Sequence, residues 1–121
     1  MDPSAVKELV ERANALHAAG KRLQAAPMYV DAARAFPPYA SFGLVAGDSF
    51  AAAGRNEEAA AAYRVCLAGH PDHAEAWQGL AKVLIQLQRT EEAREACQKG
   101  GVPFPGDARP GLLKRWFGIG S

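Results

Sequence analysis

Cysteine is scarce in this chain: Cys66 and Cys97 are the two present among 121 residues. They stand far apart within helical patterns, so they form neither a close metal-ligand pair nor a CxxC redox motif. Apolar runs are short, and none approaches the roughly 18 consecutive residues of a membrane span. The start, Met1-Asp2-Pro3-Ser4-Ala5-Val6-Lys7-Glu8, has no basic residues leading into an apolar stretch. No secretory signal is expected from it, and a reducing cytoplasm is the expected setting. Charge of one sign is also missing in bulk: 14 Lys+Arg face 13 Asp+Glu, a formal net charge of +1. That balance argues against nucleic acid as a partner.

Groups suited to catalysis or metal binding are thin. His70-Pro71-Asp72-His73 holds two histidines and one aspartate, but no fourth ligand is near, and the segment reads as a turn where proline ends one helix. His17 stands alone on the first helix. Gly100-Gly101 follows a helix and does not form the strand-to-helix glycine pattern that cradles phosphate. Neither cysteine has a sequence neighbour that clearly lowers its pKa, so both read as small buried side chains. No cofactor, no metal and no enzymatic activity are expected.

What the chain does have is alanine and a period. Hydrophobic residues make up 49%, much of it alanine, which has the best helix propensity and lets helices approach closely. Phe36-Pro37, His70-Pro71 and Phe104-Pro105 recur every 34 residues, and Arg55-Asn56-Glu57-Glu58-Ala59 returns as Arg89-Thr90-Glu91-Glu92-Ala93. Each period predicts a pair of helices. In the first, Asp2 caps a helix that carries Leu9, Ala13 and Leu16 and stops at Gly20. The second helix carries Ala25, Met28, Tyr29, Ala32 and Ala33, with Pro27 about a turn past its start. In the second period, Phe42, Ala46, Gly47 and Phe50 precede Gly54. Asn56 is expected to cap the next helix, whose Glu57-Glu58 suit the positive helix end and whose Ala59, Tyr63 and Cys66 face inward. In the third, Asp72 and Glu75 have capping-box spacing ahead of Trp77, Leu80, Ala81 and Leu84. Thr90 is expected to cap the last long helix, with Ala93, Ala96 and Cys97 inward.

These residues resemble the tetratricopeptide repeat (TPR) family. Its pattern W-x2-L-G-x2-Y, A-x3-F, P is carried by Trp77, Leu80, Ala93 and Pro105 in the third unit. The second unit supplies Gly47, Phe50, Ala59, Tyr63 and Pro71, and the first supplies Leu9, Ala13, Leu16, Ala25, Tyr29 and Pro37. Gly43 departs from the pattern, standing where a large apolar residue is usual. The resemblance implies an all-α fold, an α-α superhelix (TPR solenoid) of antiparallel helix pairs. Residues 1–107 are expected to hold three units, at about 4–39, 40–73 and 74–107. A C-terminal capping helix and tail then follow at 108–121, with Leu112, Leu113, Trp116 and Phe117 on one side as a cap or secondary contact.

The resemblance also implies a protein-interaction module, an adaptor or scaffold, whose first helices line a concave groove for a peptide or helix of a partner protein. By repeat phase the candidate groove residues are Val10, Asn14 and His17; Leu44, Val45 and Asp48; and Gln78, Lys82 and Ile85. The clamp that some family members use for acidic chaperone tails is not expected, because Val10, Val45, Glu75 and Gly79 occupy its donor places and only Asn14 fits. A mainly apolar groove suits an aliphatic or aromatic anchor instead. Alternatives are a small secretion or assembly chaperone shielding an apolar client segment, and a self-assembling structural protein whose copies stack or exchange their Trp116-Phe117 tails. Stable membrane insertion is not expected.

Overall fold

The computed structural model describes residues 1–104, and the segment predicted to form a capping helix, with Leu112, Leu113, Trp116 and Phe117, lies outside them. Among the described residues there are six α-helices: α1 (Pro3–Ala18), α2 (Arg22–Ala35), α3 (Phe42–Ala52), α4 (Asn56–Gly69), α5 (Ala74–Gln86) and α6 (Thr90–Gly100). A single 3-10 turn, Pro37–Tyr39, joins α2 to α3. Each helix packs chiefly on its neighbours in the chain, with weaker α2–α4 and α3–α5 contacts. This is the nearest-neighbour packing of a solenoid, so its core is a strip between helix layers.

The three hairpins turn in the same way. After α1, α3 and α5 the chain enters the left-handed region, at Gly20 (φ 83°), Gly54 (φ 76°) and Gln88 (φ 61°). The next amide then bonds back across the helix end: Lys21 to the Leu16 carbonyl at 2.8 Å, Arg55 to Phe50 at 2.9 Å, and Arg89 to Leu84 at 2.8 Å. Glycine tolerates this geometry without a Cβ clash; Gln88 holds it against its own side chain.

The helix starts differ from expectation at three places. Asp2 does cap α1, its carboxylate accepting from the Ala5 amide at 2.8 Å. At α5, however, it is the ring of His73, not Asp72, that accepts from the Ala76 amide, at 3.4 Å. At α4 and α6 the cap positions fall to Arg55 and Arg89, whose side chains make no cap bond, so Asn56 and Thr90 are first residues inside their helices. The arginines instead bind carboxylates of the first turns: Arg55 to Glu58 at 2.7 Å and Arg89 to Glu57 at 2.9 Å. Glu57, Glu58, Glu91 and Glu92 sit in the first turns, where the helix dipole favours negative charge. These pairs are exposed, so each contributes at most about 1 kcal/mol.

Within each hairpin the packing is matched by size. Leu9 of α1 packs against the cluster of Val6, Val10 and Ala32, in which Ala32 is the small residue that α2 supplies. In the second unit the order is reversed: a Cβ on Gly43 would lie 2.7 Å from the Ala62 carbonyl oxygen and 2.8 Å from the Cys66 amide. That close approach explains why the large apolar residue of the family pattern is missing there. In the third unit Trp77 is bulky and lies where a Cβ on Gly100 would have to be. Ala13 and Ala81, each 0% exposed, and Gly47 occupy the small-residue position of the three first helices. Between the first two hairpins an aromatic cluster forms, Phe42 stacking on Tyr29 at 5.0 Å and meeting Tyr39 edge-on at 5.6 Å.

Candidate partner-binding groove

Two hollows open on the face formed by the first helices. One, of about 480 Å³, lies between α1 and α3 and is lined by His17, Arg22, Leu23, Val45, Asp48 and Ser49 among others. The second, about 230 Å³, lies between α3 and α5 and includes Leu44, Asp48, Tyr63, Gln78, Gly79 and Lys82. Asp48 belongs to both. Three repeats in phase produce this arrangement, because residues one period apart on successive first helices share a face.

Tyr63 forms the floor of the second hollow. It comes from α4, is 2% exposed, and its ring is wedged between two first helices. A Cβ on Gly47 would meet the ring at 2.5 Å, and a Cβ on Gly79 would meet it at 2.6 Å. The hydroxyl passes through this slot and donates to Oδ1 of Asp48 at 2.6 Å. Burial pushes the Tyr63 phenol well above its ordinary range, and the bond to Asp48 and that residue's charge add to the shift. The phenol therefore stays protonated and remains the donor. One period earlier the arrangement recurs: the Tyr29 hydroxyl donates to Oδ1 of Asn14, also at 2.6 Å.

The sequence-predicted residues divide between these places. Leu44, Asp48, Gln78 and Lys82 come together around the α3–α5 hollow, and His17, Val45 and Asp48 around the α1–α3 hollow. Asn14 is exposed on α1 and binds Tyr29. The His17 ring meets Tyr29 edge-on at 6.0 Å, and its buried Nδ1 has no hydrogen-bond partner among the described residues. Ile85 packs against the core and lines neither hollow. Val10 is a correction: it is 8% exposed and buried with Val6 and Ala32, so it belongs to the α1–α2 seam. Seam and outer face are adjacent stripes on one helix, and the aliphatic character of Val10 draws it to the buried one. Tyr63 was not anticipated as a lining residue, whereas Gly79 was expected at a groove position as a place without a donor. The recurring 15-residue separation of Asn14 from Tyr29 and of Asp48 from Tyr63 is the signal that points to Tyr63.

A larger hollow of about 530 Å³ lies on the opposite side, between α2 and α4, where Ala33, Ala61, Val65 and Ala68 leave room beneath Arg34 and Arg64. Its lining is made mostly of small side chains. Both cysteines are buried, and desolvation raises the thiol of Cys66, leaving it a packing residue. The His73 ring is occupied as a helix cap. Among the described residues no helix is long and apolar enough to cross a membrane.

Three helical hairpins stacked at a regular period, with small residues where first and second helices meet, define an α-α superhelical repeat protein. Tetratricopeptide repeat profiles match residues 10–69 and 50–116, and the chain belongs to that family. Among solved structures it is similar to the Sgt2 TPR domain from Aspergillus fumigatus, with 25% sequence identity and a TM-score of 0.59. That similarity covers 97% of this chain and 76% of the other. No curated protein matches the sequence significantly. Family and fold together make this a protein-interaction module in the general sense.

Proposed function

We propose that the chain is a non-catalytic adaptor that binds a peptide or helix of a partner protein across α1, α3 and α5. The observation that carries this reading is the pair of open hollows joined at Asp48. Leu44 and Val45 offer apolar surface to an aliphatic or aromatic anchor, and Asp48, Gln78 and Lys82 supply polar contacts that fix its register. A clamp for an acidic tail is disfavoured, because Glu75 stands in the α3–α5 hollow where such a tail would need a donor.

The test is a pull-down with mass spectrometry, comparing the chain with a Leu44→Arg, Gln78→Arg double variant, whose bulky side chains fill the α3–α5 hollow. The variant is expected to lose the partner while its circular dichroism is unchanged. Retention of the partner by a folded double variant overturns the assignment of this face.

A further inference from the structure

We infer that the α3–α5 hollow receives a lysine or arginine side chain of the partner, its charge held by Asp48; this rests on the groove reading above. The first argument is a comparison inside the molecule. Asn14 accepts from Tyr29 and Asp48 accepts from Tyr63 at the same distance, 2.6 Å, and from equivalent positions. An amide therefore suffices to hold the tyrosine, and the negative charge at 48 is surplus to packing.

The second argument is the setting. Asp48 is exposed, yet one of its oxygens is gripped by a hydroxyl that Gly47 and Gly79 leave no room to shift. A carboxylate offers about four acceptor sites, so the grip leaves others for a ligand. Because the side chain is already ordered, binding incurs little of the roughly 0.5–1.5 kcal/mol that immobilising a side chain usually costs.

The third argument is size and charge. At about 230 Å³ the hollow is below the range of about 300 Å³ and upward typical of small-molecule sites, and it fits one long side chain. Among the described residues that line it, Asp48 and Glu75 bring two carboxylates and Lys82 one ammonium, while Leu44, Ala51 and Val83 add apolar surface. An apolar stem ending in a cation is the shape and charge that this lining complements.

The experiment is selection of phage-displayed random peptides on the full 121-residue chain and, in parallel, on Asp48→Asn. Asn14 shows that the substitution preserves the tyrosine's acceptor, and unfolding midpoints check this. The wild-type pool is expected to be enriched several-fold in Lys or Arg at one position, and the Asp48→Asn pool is not. For a selected peptide, replacing that basic residue by norleucine is expected to weaken binding about tenfold, or about 1.4 kcal/mol. Pools without basic enrichment, or an unchanged affinity for the norleucine peptide, overturn the inference. If such non-basic peptides are still lost on a Leu44→Arg, Gln78→Arg variant, which fills the hollow and repels a cation, the groove reading stands without it. If selected peptides bind that variant equally, the groove reading fails as well.

Discussion

The hydroxyl of Tyr63, on α4, lies 2.6 Å from the Asp48 carboxylate on α3 and ties the floor of a hollow to its rim. Tyr63→Phe removes the donor while keeping the ring in its glycine slot. Asp48 is exposed and water replaces the lost bond, so the cost is expected to be about 1 kcal/mol. A lower urea midpoint at constant slope is the measurement, since a changed slope signals altered compactness.

Ionisation of the same phenol is expected to unfold the chain. The folded pKa of Tyr63 lies above the ordinary value of 10.0, so its contribution is fully present below pH 10 and is lost as pH rises further. Tyrosinate absorbance should report Tyr63 only as helicity disappears. Tyr63→Phe should flatten the alkaline loss of stability, leaving a remainder from Tyr29, which burial also raises. Ionisation of Tyr63 in the fully helical state runs against this expectation.

Gly47→Ala pits two effects against each other. Alanine in place of glycine in a helix is worth about 1 kcal/mol, whereas overpacking a filled site costs about 1–3 kcal/mol. The Tyr63 ring is blocked on its far side by Gly79 and held by Asp48, so the clash wins and the variant is expected to be destabilised. In a Tyr63→Val background, with the ring gone, the same substitution is expected to stabilise. Thermal unfolding of the four proteins in this cycle reads the change of sign.

Gln88→Gly is expected to stabilise the protein. A left-handed conformation costs an L-residue about 1–2 kcal/mol, and the entropic penalty of glycine is about 0.5–1 kcal/mol. The difference favours glycine by about 0.5–1 kcal/mol and should raise the melting temperature by several degrees. The reciprocal change, Gly54→Gln, should lower it.

Much of this architecture was legible because breakers and small residues repeat in register: Gly20 and Gly54, Ala13, Gly47 and Ala81. The helix starts were harder. Asn56 and Thr90 have good capping side chains, but the preceding arginines draw the first-turn carboxylates into ion pairs, and the cap positions fall one residue earlier. On the candidate face, Asp48, Leu44, Gln78 and Lys82 were placed by the family resemblance carried along the repeat phase, and they line one hollow. Val10 did not, because a residue's choice between two adjacent stripes depends on how closely the second helix approaches. Tyr63 was read as core, and its polar end reaches the open face only because two glycines thin the layer above it.

The matched sizes within hairpins bear on how such a chain can be cut and rejoined. Trp77 sits over Gly100, whereas Gly43 sits against Cys66 and the Ala62 carbonyl. Transplanting α5 into the place of α3 would drive an indole into the backbone of α4, and the reverse graft would leave a void over α6. Chimeras that exchange whole hairpins keep Trp77 with Gly100 and Gly43 with Cys66, provided the incoming first helix offers a glycine to the Tyr63 ring where Gly79 now stands. The unit of recombination in this protein is therefore the helix pair, although the single helix is the unit that presents residues to a ligand.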